Sequence, residues 1–281
     1  MPGTNGGDGR HPIDPPRGVL GVAGRLPFRL RRWAPPADLT WCVSNFWVTV
    51  WELPEGRAVT ARVLPHAAVN LTLESGDRVV TGVPSGVFSR TLRGSDRAFG
   101  VKFAPGAFRL LTAVPIGSLS GAGQPAAGVL DGADGLRATL VQAVDDDERM
   151  AATVQWLRAS GARCDATLQL VQNAHTALVG DPTVRRVHQV ADRLEVSPRT
   201  LQRMFADYLG VSPGWVLRRG RPPAVAERVL QLAAGRADLG YADVAAEFGY
   251  ADQAHFTHEF RRVLGAAPGV WAAQLVEEHA G

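Results

Sequence analysis

The stretch Gly249-Tyr250-Ala251-Asp252-Gln253-Ala254-His255-Phe256-Thr257-His258-Glu259-Phe260-Arg261-Arg262-Val263-Leu264-Gly265 has the periodicity of a helix with two unlike faces. Phe256, Phe260, Val263 and Leu264 fall at i, i+4, i+7 and i+8, which puts them on one apolar side. Asp252 is placed to cap the first turn, and Gly265 followed by Pro268 closes the last. The other side carries Gln253, His255, Thr257, Arg261 and Arg262. Amide, imidazole, hydroxyl and guanidinium groups together can donate to base edges and phosphates.

Working outward, Leu239 to Phe248 reads as a short helix with Val244 and Phe248 inward, and Gly249 permits a sharp turn into the next helix. The same plan occurs upstream. Val187, Val190, Ala191 and Leu194 form the inner side of a short helix, and Glu195-Val196 turns the chain. Ser197-Pro198 then supplies a cap followed by proline at the first helical position. The helix that follows, Arg199 to Leu209, buries Leu201, Met204, Phe205 and Leu209 and leaves Arg199, Gln202 and Arg203 outside. Gly210 ends it, and Val211-Ser212-Pro213 echoes Ala266-Ala267-Pro268.

Over roughly Pro182 to Leu275 the chain resembles the DNA-binding domain of the AraC/XylS family of transcription regulators. The second unit carries that family's signature pattern, Gly-Tyr-x-Asp-x-x-His-Phe-x-x-x-Phe-Arg-Arg-x-x-Gly-x-x-Pro, from Gly249 to Pro268. The resemblance implies a linking helix that sets two recognition helices into successive major-groove segments. By position, Arg199, Thr200, Gln202 and Arg203 would face DNA from the first unit. Gln253, Ala254, His255 and His258, with Arg261 and Arg262, would do so from the second. Two departures stand out. His258 occupies a position where many members have arginine, which weakens guanine reading there. The linking segment Trp215 to Ala224 contains Gly220 and Pro222-Pro223, and interior proline costs about 3 kcal/mol. The helix is therefore expected to break near Gly220 and restart at Pro222 or Pro223.

A chain of 281 residues, 46% of them hydrophobic, has material for two domains. The expected fold class is α+β: a disordered tail over 1–20, a small β-rich domain over 21–135, a helical connector over 136–180, and an all-α domain with two helix-turn-helix units over 181–281. The net charge is only +3. Residues 181–281 hold twelve arginines against twelve acids, so a localised basic face is required, to which Arg199, Arg203, Arg218, Arg219, Arg221, Arg261 and Arg262 can contribute. No run of eighteen apolar residues and no signal-peptide core is present, which points away from the membrane and toward a cytoplasmic protein. Cys42 and Cys164 lie far apart and read as two reduced thiols.

Between Leu26 and Phe103 the period changes to two. Seven short strands are expected, with turns at Pro54-Glu55-Gly56, Ser75-Gly76-Asp77 and Arg93-Gly94-Ser95. Such spacing suits a barrel or a sandwich, and the family resemblance favours a cupin-like barrel serving as sensor or dimerisation module. Trp41, Phe46, Trp47, Trp51 and Phe88 could line a pocket or simply fill a core. Trp47, Arg62, His66 and Asn70 are the candidate ligand-binding residues. His66 stands alone, without the further ligands a metal needs, so neither metal nor cofactor is expected.

Two amphipathic helices follow, from about Asp146 to Ser160 and from about Arg163 to Leu178. The stripe Leu168, Val171, Ala174 and Leu178 in the second could pack on the barrel or form a dimer seam. Ser44, Ser85, Asp96 and His66 sit in no nucleophile elbow, phosphate loop or carboxylate pair, so an enzyme is not expected. The readings left beside a DNA-binding regulator are a DNA-associated enzyme and a helix-turn-helix module for protein contacts. Double-stranded DNA is the expected partner. RNA polymerase, a small-molecule effector and a second copy of the chain are further candidates.

Overall fold

The structure, a computed structural model, describes residues 19–20, 28–64, 66–74, 77–84, 88–120, 123–219, 222–233, 235 and 239–278. The strands are β1 (Val19–Leu20), β2 (Phe28–Trp33), β3 (Val43–Glu52), β4 (Ala58–Val63), β5 (Asn70–Glu74), β6 (Asp77–Thr81), β7 (Phe88–Arg93), β8 (Ser95–Phe103) and β9 (Gln124–Pro125). The helices are α1 (Ala133–Gln142), α2 (Asp146–Ala159), α3 (Ala166–Gly180), α4 (Val187–Arg193), α5 (Pro198–Leu209), α6 (Pro213–Arg219), α7 (Pro222–Ala233), α8 (Tyr241–Glu247), α9 (Gln253–Leu264) and α10 (Pro268–Glu278).

The seven expected strands are β2 to β8, and they divide between two antiparallel sheets. One has the order β2-β3-β8-β5-β6-β9 and the other β1-β4-β7. The chain crosses between them at Gly94, whose φ of 55° suits glycine, and the Gly94 carbonyl accepts from Leu53 N at 3.0 Å. This corrects the expected closed barrel: among the described residues no ladder joins the two sheets. The bulky side chains Phe28, Trp47 and Trp51 stand between them. Val19 and Leu20, expected in the tail, pair with Val63 and Arg62. Residues 1–18 of that tail lie outside the described residues, as do Ser75-Gly76 of one expected turn.

The far face of the larger sheet buries Phe46, Val48, Leu71, Val80, Phe99, Val101 and Phe103. Phe108, Ile116, Leu136, Leu140 and Met150 from the 3₁₀ turns, α1 and α2 cover them. Each such side chain contributes roughly 1.5–3 kcal/mol on leaving water. Helix α2 starts where its acids predict, with the Asp145 carboxylate accepting from Glu148 N at 2.9 Å. Helix α1 lies outside the sequence expectations, because glycine and alanine dilute its apolar pattern. Residues Ala107–Leu111 form a 3₁₀ turn.

The α3 stripe serves neither the sheet alone nor a dimer seam within this chain. Leu168 packs into the sheet core, whereas Val171, Ala174 and Leu178 pack into the core of the first helix-turn-helix unit with Val190, Leu201 and Phe205. The helix thus belongs to both halves of the molecule. Gln172 reinforces this by donating to the carbonyls of Trp41 at 2.7 Å and Pro105 at 3.3 Å.

Candidate nucleic-acid interface and inter-sheet cavity

The two helical units are built alike. In each, a helix of 7 residues precedes one of 12. The turn between them contains a residue with positive φ, Glu195 at 54° in the first unit and Gly249 at 70° in the second. The following amide returns to the first helix: Val196 N donates to Ala191 O at 3.0 Å, and Tyr250 N to Ala245 O at 2.8 Å. Each second helix has a side-chain cap. Ser197 Oγ accepts from Thr200 N at 3.0 Å, and Asp252 Oδ1 from His255 N at 2.8 Å. Each ends at a left-handed glycine, Gly210 or Gly265.

Helix α6 is described as far as Arg219 and α7 from Pro222, and the break expected near Gly220 falls between them. Gly220 and Arg221 lie outside the described residues. The units nonetheless touch. Gly249, in the turn of the second unit, sits so close to the start of the first that an added Cβ would lie 2.7 Å from Pro182 O. Phe248, Tyr250 and Phe260 of the second unit share a groove with Val184, Leu217 and Arg218 of the first. The two units therefore pack against each other.

On α5 the structure leaves Arg199, Gln202 and Arg203 exposed and Thr200 half-buried beside its cap. On α9 it leaves Gln253, Ala254, His255, His258, Arg261 and Arg262 exposed, while Phe256 and Phe260 are buried. Gln253, Ala254, Thr257, His258 and Arg261 together edge one shallow depression, a continuous face opposite the core. Arg199, Arg203 and Arg261 have no hydrogen bond or ion pair among the described residues. Others are engaged. Arg262 donates to Glu259 at 2.6 Å, which holds that carboxyl below its usual range. His255 accepts from Ala251 N at 3.2 Å and packs edge-on against Tyr250. Arg219 lies 6.0 Å from the centre of the Trp215 ring. The C-terminal end of α5 meets the sheet domain, where Arg109 Nε donates to Asp207 at 2.9 Å.

A cavity of about 190 Å³ lies between the two sheets. Of the candidate ligand residues, Trp47, His66 and Asn70 line it and Arg62 does not. Ala61 and Val63 point inward from β4, so strand alternation turns Arg62 to the opposite face. Trp51 and Phe88 also line it, whereas Phe46 belongs to the core on the other side of the sheet. Among the lining residues that escape a reading of the sequence for site residues are Lys102 and Asn45, with Arg32, Glu74 and Arg90. The register explains the first two: Asn45, Lys102 and Asn70 are lateral neighbours across β3, β8 and β5. Burial, and then the charge of Arg32, lower the Lys102 ammonium to about 8. Burial also lowers His66, and it lowers His175 on α3 to about 4, with Lys102 adding to both. Cys42 is buried and pushed up to about 12, and Cys164 is exposed; both are free thiols. No group of three metal-ligating side chains exists among the described residues.

Residues 190–274 match a helix-turn-helix domain family, and residues 31–123 match a domain of unknown function, DUF6597. No curated protein matches the chain. Among solved structures, the C-terminal domain of AraT, a response regulator from Geobacillus stearothermophilus, is 25% identical, covering 39% of this chain and 88% of that one at a TM-score of 0.34. ToxT from Vibrio cholerae O395 is 12% identical over 82% of this chain and 98% of its own, with a TM-score of 0.42. Unsaturated fatty acid bound ToxT from Vibrio cholerae strain SCE256 is 10% identical over 81% and 94%, with a TM-score of 0.37. With its duplicated units, its signature from Gly249 to Pro268 and the match over residues 190–274, the chain carries the helix-turn-helix domain of the AraC/XylS-type transcriptional regulators.

Proposed function

We propose that this DNA-binding transcription regulator reads its operator by setting α5 and α9 into the major groove, under the control of its N-terminal domain. Arg199, Thr200, Gln202 and Arg203 serve the first helix. Gln253, Ala254, His255, His258, Arg261 and Arg262 serve the second, with Arg262 exchanging Glu259 for a phosphate. The reading domain spans 181–281, the connector 136–180 and the controlling domain 21–135. The observation that carries this is the pair of matching helices whose outward guanidiniums, Arg199, Arg203 and Arg261, have no acidic partner among the described residues. Exposed arginines of this kind suit phosphate contacts, which orient a protein on the duplex, while Gln202 and Gln253 suit base edges. Control through the N-terminal domain is supported by the inter-sheet cavity and by the cores that α3 joins.

The test is binding of the full chain to selected genomic fragments at several salt concentrations. Arg203→Ala is expected to fold normally, weaken binding, and reduce the salt slope by about 0.9 for the phosphate lost. Gln253→Ala is expected to relax preference at one base pair by about 1–3 kcal/mol. An Arg203→Ala protein with unchanged affinity and slope would remove α5 from the interface. Selective binding without salt dependence would favour a module for protein contacts.

A further inference from the structure

The inter-sheet cavity gathers nitrogen-bearing side chains at one end, and beyond them runs an apolar wall edged by the Arg90–Glu74 ion pair. Register makes the polar end: Asn45, Lys102 and Asn70 form one row across three strands, and His66 approaches from the loop after β4. Two residues along the same strands the row becomes Trp47, Gly100 and Thr72, and Phe28, Trp51 and Leu92 continue the apolar wall. Gly100 is required here, because the Trp47 ring lies across it; an added Cβ would fall 2.1 Å from that ring.

The polar end is incomplete. Lys102 has no hydrogen bond or ion pair among the described residues, and the charge of Arg32 repels it. His66 Nδ1 and Asn45 Oδ1 are buried without a partner. Among the described residues the single carboxylate on the cavity wall, Glu74, is bonded by Arg90. Buried cations and ring nitrogens are ordinarily satisfied; the Lys102 ammonium and, as its N–H tautomer, His66 Nδ1 can each donate to an anion in the cavity, whereas the Asn45 amide oxygen accepts and is no part of that argument. Burial lowers the Lys102 ammonium to about 8, so at neutral pH it is still mostly charged.

We propose that this cavity binds a small organic monocarboxylate, its carboxylate against Lys102 and His66 and its apolar body against Trp47, Trp51 and Phe28. The proposal rests on reading the N-terminal domain as a controlling domain, and it names the chemistry that domain takes. Size narrows the class. A cavity of about 150 Å³ holds benzene, so about 190 Å³ accommodates one ring with a short acid arm. The wall also offers a route outward: Leu64 lines the cavity and is itself buried in the core of the second helix-turn-helix unit.

The experiment is titration of the full chain with phenylacetate and with its neutral isostere phenylacetamide, followed by tryptophan fluorescence, since Trp47 and Trp51 line the site. Saturable binding of phenylacetate is expected, with phenylacetamide weaker by about tenfold or more, the usual worth of a charge-assisted bond. Lys102→Met, which removes a buried charge and keeps the length, is expected to lose that preference while still admitting the amide. Absence of saturable binding by the acid, equal binding of acid and amide, or an unaltered preference in Lys102→Met would each overturn the proposal. Operator binding is measured on the same preparations. Loss of ligand binding with intact operator binding refutes the cavity's assignment alone, whereas a wild-type chain that binds no DNA refutes the regulator reading.

Discussion

Replacing Gly249 by alanine tests whether the turn of the second unit is held against the first. Two penalties combine. The residue has φ of 70°, a left-handed conformation that costs an L side chain about 1–2 kcal/mol. The new Cβ would also stand 2.7 Å from Pro182 O and 3.0 Å from both Pro182 Cβ and an Arg185 terminal nitrogen. The first of these is backbone, in the segment joining α3 to α4, so relief requires the units to move apart. Overpacking of this kind costs about 1–3 kcal/mol. Gly265→Ala supplies the control, because Gly265 has φ of 87° but no atom within 4 Å of the place its new methyl group would occupy. It should show the conformational penalty alone. Calorimetry of the full chains is expected to place Gly249→Ala below Gly265→Ala, at about 2–4 °C for each kcal/mol of difference. Operator affinity should fall further in Gly249→Ala, because the angle between α5 and α9 changes. Equal melting temperatures for the two variants would show that the approach to Pro182 does not constrain the turn.

Further expectations concern the cavity and its surroundings. Leu64→Ala removes a side chain that is 1% exposed and packs with Val225, Val229 and Phe260, at a cost of about 2–5 kcal/mol. Hydrogen exchange should accelerate in α7 and α8; acceleration confined to the strands would contradict the shared core. Lys102→Met should stabilise the unliganded chain. The ammonium falls from its ordinary 10.5 to about 8 on folding, so the unfolded chain binds the proton more tightly and the folded state carries a cost of about 3 kcal/mol at neutral pH. Denaturation showing a loss of stability would refute this. His175, lowered from 6.5 to about 4, works in the acid range: the unfolded chain takes up a proton that the folded one refuses. Stability should therefore drop as pH falls from 6.5 to 4, by about 3 kcal/mol for this group, with His66 adding in the same direction. An unchanged acid slope in His175→Leu would show that the ring is not the source.

The helical units are legible in the sequence because their determinants are local. A cap such as Ser197 or Asp252, a glycine past the last turn and apolar residues at helical spacing act within one or two turns. Strand positions are legible for a similar reason, since alternation and turn residues are short-range signals. What joins to what is not. Whether seven strands close into a barrel depends on edge pairing and on the bulk of Trp47 and Trp51 between the sheets, which no window of sequence contains.

The site divides along the same line. The outward residues of α5 and α9 follow from helical phase and from the family pattern, and the structure exposes them, Thr200 excepted, which is half-buried beside its cap. The cavity does not follow. Charge and proximity in sequence suggest Arg62 for it, yet strand alternation turns that side chain away. In the sequence Lys102 is distinctive only as the single lysine, because its neighbours Asn45 and Asn70 reach it through register across β3, β8 and β5. The sequence by itself determined two helix-turn-helix units with polar outer faces, since local periodicity and capping specify them. Only the tertiary structure decided that α3 and Leu64 bind the sheet domain to those units and that a lone ammonium faces a cavity, because both arise from contacts between residues far apart in the chain.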